Sequence, residues 1–461
     1  MTEAGLRQAI DKMEAAGQGG APAEVFRHYY GELASGATGV VAEADIDPVG
    51  ELALLADQQV APDAASAALA ATVMIRLNGG LGTSMGMSQA KSLLPVTADR
   101  TFLDLMVDQV RATRAAHGVR LPLVLMNSFA TREDTLAALS AYSDLPVDGL
   151  PLDFVQSSEP KLRSDDLTPV EWPANPDLEW CPPGHGDIYP SLLASGLLEE
   201  LLAKGYRYAL VANSDNLGAT PDPQLAGWFA ASGAPFAIEV CTRTSADRKG
   251  GHLAVRRADG RLILREVAQT APEDLDAFTD ENRHRWFSTN TLWWDLQQLR
   301  DVLVDRNGVL GLPLIRNVKT VDPRDPSSPE VFQIETAMGA AIEVFEGATA
   351  IGVPRSRFLP VKTTNDLLLL RSDAYAVGED GAVTLAADRV CKVDLDPLYY
   401  KTIADFDVRF PHGSPSLREA ESLTVRGDWT FGADVRLTGR VELEDAGDPA
   451  EVESGATIEG L

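Results

Sequence analysis

Residues 72–91 constrain the fold more than any other stretch. They read TVMIRLNGGLGTSMGMSQAK. A β-rich apolar run passes directly into Gly79, Gly80, Gly82 and Gly86, and Lys91 follows. Glycines let a backbone turn with positive φ and approach a ligand closely. Successive N–H groups in such a loop form an anion-binding nest, and the lysine is placed to meet a phosphate. A solvated glycine-rich turn is the plainer alternative, and the coincidence of strand, four glycines and lysine favours the phosphate loop. A Walker A loop needs glycine directly before Lys-Ser/Thr, and here Ala90 precedes Lys91. The dinucleotide fingerprint is G-x-G-x-x-G, one residue shorter than the G-x-G-x-x-x-G starting at Gly80.

Around this loop, short β-rich runs alternate with helical patterns. Strands are expected at 72–77, 121–126, 208–213 and 235–240, and helices at 133–142, 190–203 and 333–346. In the last, Ile334, Ala337, Met338, Ala341, Ile342 and Phe345 line one helical face. Such alternation implies an α/β domain with a largely parallel sheet, where ligands bind beyond the carboxyl ends of the strands. Residues 1–70 read as helical: Leu6, Ile10 and Met13 recur at helical spacing, 17–22 breaks the pattern, and a second helical stretch covers about 50–71.

The tail changes period. Leu423, Trp429, Val435 and Val441 are spaced by six, as are Val425, Phe431, Leu437 and Leu443, with Gly427 and Gly439 twelve apart. Six-residue periodicity with small turn residues signals a parallel β-helix, a plain β-meander being the alternative. Its terminal rung would be a sheet edge, hence a candidate contact between copies.

At 461 residues with a net charge of −28, the chain has no basic face for nucleic acid, but local cations can still hold a phosphate. Cys181, Cys241 and Cys391 form no C-x-x-C pair, and no signal peptide or membrane span is visible. A cytoplasmic protein in a reducing compartment is expected.

The glycine loop resembles the signature L-N-G-G-L-G-T-x-M-G-x-x-x-x-K-S of the eukaryotic-type UTP–glucose-1-phosphate uridylyltransferases, the UDP-glucose pyrophosphorylase family. The resemblance continues, in family order, through MNSFATREDT (126–135), PPGHGDIYPSLLASGLL (182–198), ANSDNLGAT (212–220), QIETAMGAAIEVF (333–345) and VPRSRFLPVKTTNDLLL (353–369). It covers roughly residues 70–445. It implies an α/β fold: a Rossmann-like nucleotidyltransferase domain with a mixed, mainly parallel sheet (71–385), preceded by the helical region 1–70 and followed by a left-handed parallel β-helix (386–461). The implied reaction is uridylyl transfer from UTP to α-D-glucose 1-phosphate, giving UDP-glucose and pyrophosphate. The family contains monomers and larger assemblies built through the C-terminal region.

Several residues are ambiguous on chemistry alone. Asp215, in Asn213-Ser214-Asp215-Asn216, suits a Mg²⁺ ligand or an Asx turn equally. Gln156 in FVQ reads as surface, although an amide can pair with a uracil edge. Glu266 reads equally as a solvated strand residue, Lys362 as a surface lysine, and Arg355 and Arg357 as salt-bridging residues. Flanking glycines favour a ligand role for His185 in GHGD over a packed one. The resemblance implies that Leu77, Asn78, Gly79, Gly80, Gly82, Gln156, Gly184 and Asp215 bind the nucleotide, with Asp215 also at Mg²⁺. It places His185, Gly250 (in Lys249-Gly250-Gly251), Glu266 and Asn290 at the sugar phosphate, and Lys91 and Lys362 as the phosphate-neutralising cations. Phe287–Trp293 reads FSTNTLW against the family's F-N-T-N-N-L-W, so Ser288 and Thr291 depart from it. No nucleophile motif is evident, so direct in-line displacement is expected. A pyrophosphorylase for N-acetylhexosamine or several sugar phosphates, and a non-catalytic nucleotide-sugar binder, are the alternatives.

Overall fold

The computed structural model describes residues 2–244, 247–248 and 250–460. Among them, eleven strands form the central sheet: β1 (Ile46–Pro48), β2 (Ala53–Leu54), β3 (Thr72–Asn78), β4 (Leu123–Asn127), β5 (Asp153–Val155), β6 (Tyr208–Asn213), β7 (Phe236–Thr242), β8 (His252–Arg256), β9 (Leu262–Arg265), β10 (Trp286–Asp295) and β11 (Thr349–Gly352). The main path runs β2-β11-β7-β10-β6-β3-β4-β5. Only β10 on this path runs antiparallel to its neighbours. β8 branches off against β10, pairing with β1 and β9.

Alternate residues of the strands feed two cores, as the two-residue period of a strand requires. Met74, Leu123, Leu125 and Leu210 pack on one face with the helices Phe102–His117 and Pro223–Ser232. Val73, Ile75, Val124 and Val211 pack on the other with Ile188–Ala194, Leu197–Ala203 and Leu296–Asp305. The helix Phe102–His117 starts at a reciprocal capping box between Thr101 and Asp104 and stops at Gly118 in the left-handed region.

The four expected strands are present, 208–213 with the expected bounds and the other three with ends displaced by at most two residues. Three helical expectations are corrected. The 190–203 pattern is two helices parted at Gly196 (φ 78°). In 50–71, only Pro62–Ala70 is α-helical, and β1 and β2 of the expected helical region join the central sheet. Residues 333–346 form no α-helix: Glu330–Glu335 is a strand against Ile315–Thr320, and Met338–Glu343 is a 3₁₀ turn. The donors that an α-helix would use there are committed elsewhere. The N–H of Thr336 donates to Pro183 O (3.0 Å) and that of Met338 to His185 Nδ1 (3.0 Å).

Beyond the helix Thr364–Arg371 the chain winds into parallel coils. β12 (Lys392–Leu395), β13 (Ser416–Val425), β15 (Arg436–Leu443) and β17 (Thr457–Glu459) make one parallel sheet, and β14 (Trp429–Phe431) and β16 (Ala450–Val452) a second. Leu423, Val425, Phe431, Val435, Leu437 and Val441 are buried between them, as the six-residue period requires. No helix among the described residues is long and apolar enough to cross a membrane. The three cysteines are buried and unpaired with one another.

Candidate active site

Strands β3, β4, β5 and β6 are mutually parallel, so their carboxyl ends open on one side. A cleft of about 430 Å³ lies there. Its wall includes Leu77, Gly79, Gly80, Gly82, Lys91, Gln156, Gly184, His185 and Asp215, nine of the expected site residues drawn from well-separated segments.

The glycine loop is tied down through its carbonyls. Ser128 Oγ donates to Gly79 O (2.9 Å), Lys91 N to Gly80 O (3.0 Å) and Met85 N to Gly82 O (2.9 Å). Among the described residues, the N–H groups of Gly79, Gly80 and Leu81 have no protein acceptor. That is the arrangement of an anion nest. The Gln156 amide lies against Gly79, where a Cβ would come within 2.9 Å of its Oε1. Gly86 instead faces Thr402, in the segment between β12 and β13.

Lys91 Nζ donates to Asp215 Oδ2 at 2.7 Å, with both side chains about 15% exposed. Asp215 Oδ1 is buried without a partner among the described residues. Gly184 sits at φ 77°, ψ 178°, and a Cβ there would lie 2.6 Å from Thr336 O. Only glycine adopts that conformation readily. His185 follows. Because Met338 N–H donates to its Nδ1, the neutral ring carries its proton on Nε2. Burial lowers its pKa to about 4.

The remaining expected residues lie outside this wall. The Asn78 side chain turns inward, donating to Asn127 Oδ1 (2.8 Å) and Thr135 Oγ1 (3.0 Å), and so braces the strand ends. Asn290 sits at φ 55° where β10 bulges against β7, and its Nδ2 donates to Asn213 Oδ1 (3.1 Å) on the cleft wall. Ser288, the first departure from the family pattern, accepts the Asn290 N–H on its Oγ (3.1 Å). The Thr291 hydroxyl is buried without a partner among the described residues. Gly250 lets its loop pass the Phe287 ring, where a Cβ would come within 2.7 Å. Lys249 lies outside the described residues. Burial raises the Glu266 pKa while the charge of Lys362 lowers it. Lys362 is exposed, and Val361 N donates to Asp215 O (3.3 Å), tying its segment to the metal candidate. Arg355 and Arg357 are salt-bridged, to Asp247 and Glu239.

The sequence reading missed Asp187 and Asn213. Asp187 Oδ2 accepts from Ser157 N (2.6 Å) and Ser191 Oγ (2.7 Å), holding the Gln156 segment to the GHGD turn. Burial raises its pKa to about 6. Its place in GHGD was the available signal.

A family model described as UTP–glucose-1-phosphate uridylyltransferase matches residues 23–438. The chain belongs to the UTP–glucose-1-phosphate uridylyltransferase family. It is a nucleotidyltransferase that forms UDP-glucose from UTP and glucose 1-phosphate. The uridylyltransferase of Solanum tuberosum is 41% identical over 392 residues, covering 84% of this chain and 80% of the relative. That of Saccharomyces cerevisiae is 39% identical over 397 residues, covering 85% and 78%. UDP-glucose pyrophosphorylase from Leishmania major superposes with a TM-score of 0.93 at 41% identity, covering 99% of this chain and 98% of that one. A point mutant of the same L. major enzyme has been solved in complex with UDP-glucose, at a TM-score of 0.92, 41% identity and the same coverage of both chains.

Proposed function

We propose that uridylyl transfer takes place in the cleft at the ends of β3–β6, as a direct in-line displacement. A phosphate oxygen of glucose 1-phosphate attacks the α-phosphorus of UTP. The bond from that phosphorus to the bridging oxygen breaks, and pyrophosphate leaves with the electron pair. The observation that carries this reading is the Lys91–Asp215 pair, 2.7 Å apart and lining the cleft beside the glycine loop.

Positioning and electrostatics carry such a reaction, because two anions must meet and a third must depart. The free N–H groups of the glycine loop cradle the triphosphate. Lys91 neutralises charge at the α-phosphate and the leaving group, and Lys362 supports the incoming phosphate. Gln156 reads the uracil edge against Gly79, and the Gly184 turn packs beside it. His185 offers Nε2–H to the sugar phosphate. Asn290, Glu266 and the loop at Gly250 face the hexose side. In this reading residues 71–385 carry the catalysis, 1–70 precede it, and 386–461 form the β-helix whose edge at β17 is the place for a contact between copies. The buried unpaired cysteines suit a cytoplasmic enzyme.

The residues present suit Mg²⁺. Among the described residues, Asp215 Oδ1 is buried without a partner, and no cluster of three or more His, Cys, Asp or Glu exists to make a protein-only cage. Mg²⁺ prefers one or two carboxylates with phosphate oxygens and water. When bound there, it supplies charge neutralisation on the triphosphate. A coupled assay for UDP-glucose from UTP and glucose 1-phosphate tests the reading. Activity is expected with Mg²⁺ and is expected to vanish in excess EDTA, and full activity in EDTA contradicts the metal assignment. Product from N-acetylglucosamine 1-phosphate at an equal rate contradicts the hexose assignment.

A further inference from the structure

Arg76 is the only charged residue in β3, and its side chain is completely buried. A charge inside an apolar strand is expensive unless a specific set of partners uses it. Its partners are all main-chain carbonyls of one turn. Nη1 donates to Asn213 O and Asn216 O, each at 3.0 Å, and Nη2 to Ala219 O at 2.8 Å. Nε is buried with no partner among the described residues. These carbonyls bracket Asp215 on both sides. Burial and the like charge of Arg357 work against the Arg76 charge, and Asp215 and Glu239 work for it. Glu239 is already engaged: Arg357 donates to its two oxygens at 2.6 and 2.9 Å.

The same turn is gripped from its other side. Asn216 Oδ1 accepts from Leu359 N (2.8 Å) and Gly218 N (3.2 Å), and its Nδ2 donates to Arg357 O (3.2 Å). The segment leading to Lys362 therefore hangs from the turn that Arg76 holds. A flexible apolar side chain would fill the strand interior without a desolvation penalty, so packing does not account for a guanidinium here.

We propose that Arg76 is a positioning residue for the known reaction: its guanidinium sets the 213–219 turn, and thereby the Asp215 carboxylate that meets the Mg²⁺-bound triphosphate. The proposal rests on the reading of Asp215 given above.

The test is calorimetric binding of UTP, with and without MgCl₂ and with no sugar phosphate, to the wild type, Asp215→Asn, Arg76→Gln and Arg76→Lys. Steady-state kinetics run alongside. Wild type is expected to gain UTP affinity with Mg²⁺, and Asp215→Asn to lose that gain. Arg76→Gln leaves three main-chain carbonyls without their charged donor and is expected to lose about tenfold of the gain. Its turnover should fall about 10²-fold. Its metal-free UTP affinity should stay within about twofold, because Gln156 and Gly184 are held by other elements. Arg76→Lys keeps the charge but cannot span three carbonyls from one nitrogen, and should lose about threefold. Arg76→Gln with the wild-type gain and turnover, while Asp215→Asn loses the gain, removes only the positioning role. Equal loss of UTP affinity with and without Mg²⁺ in Arg76→Gln marks a general collapse of the cleft and overturns the proposal. So does an unfolded Arg76→Gln beside an Arg76→Lys identical to wild type, which would leave Arg76 a folding role alone. Asp215→Asn retaining the full gain defeats the metal reading, and the positioning role falls with it.

Discussion

In the proposed reading, the residues assigned to the nucleotide, which line the cleft (the nucleotide wall), and those assigned to the hexose, which lie beyond that lining (the sugar wall), are built on different physics. The nucleotide wall is mostly main chain: free N–H groups at Gly79–Leu81 and a Gly184 turn that no other residue adopts readily, with one ion pair, Lys91–Asp215, set among them. The sugar wall is made of side chains held by other side chains. Asn290 is fixed by a bulge, by Ser288 and by Asn213, and Glu266 lies against Gly251 where a Cβ would come within 2.6 Å of its carboxylate. A main-chain wall binds what every nucleoside triphosphate shares, while a side-chain wall can discriminate one hexose from another. Substitutions on the two walls should therefore fail in different kinetic constants.

The largest effect belongs to Lys91. Lys91→Ala is expected to lower turnover by about 10²–10³ at saturating substrates while thermal unfolding moves little. Equal turnover in both proteins would discard the role. Next is Gly184→Ala, whose Cβ would meet Thr336 O at 2.6 Å in a conformation close to glycine-only. Strain of that kind should raise the UTP KM by about 10- to 100-fold and leave the glucose 1-phosphate KM nearly untouched. On the sugar wall the split reverses: Asn290→Ala should raise the glucose 1-phosphate KM about tenfold, through the lost amide and the left-handed backbone cost, with UTP KM unchanged. Asn290→Gly isolates the amide, because glycine accepts the φ of 55° freely. If both variants shift the two KM values equally, the division between the walls is wrong.

The smallest effect is a pH dependence of stability. The His185 pKa is held at about 4, below its ordinary value of 6.5, by burial. The unfolded chain therefore binds the extra proton first, and this group's contribution, complete above 6.5, drains away as pH falls toward 4. Asp187 opposes it: with its pKa raised from 3.8 to about 6, its contribution is complete below 3.8 and is lost as pH rises through 6. Urea midpoints between about pH 4 and 7 should fall more steeply on acidification for the wild type than for His185→Gln. Parallel profiles would mean that the imidazole is not held neutral by the turn.

Much of this was legible beforehand because the signals are local. The glycine loop, the GHGD turn and Asn213–Asn216 each lie at a strand end or helix start that short-range pattern reveals. The six-residue spacing of Leu423, Val435 and Val441 likewise reports a repeating coil, because each rung buries the same position against the next. The failed helix at 333–346 shows the limit. Its apolar spacing fits a helix, yet Ile334 and Phe332 pair across to Arg316 and Val318, and the donors of Thr336 and Met338 serve the GHGD turn. Periodicity describes which side chains are buried, and does not say whose acceptors the backbone will find. Asn78 is a similar case, lying within the signature but bonded inward.

What the amino-acid order determined by itself was the inventory: a strand, a loop free of side chains and a lysine in that succession, because backbone conformation at glycine and burial along a strand are settled within a few residues. What only the tertiary structure decided was which distant groups meet. Lys91 reaches Asp215 across 124 positions, and Arg76 reaches the carbonyl of Asn213 across 137. Those pairings follow from parallel strands laid side by side, and a charge finds its partner there by the geometry of the sheet.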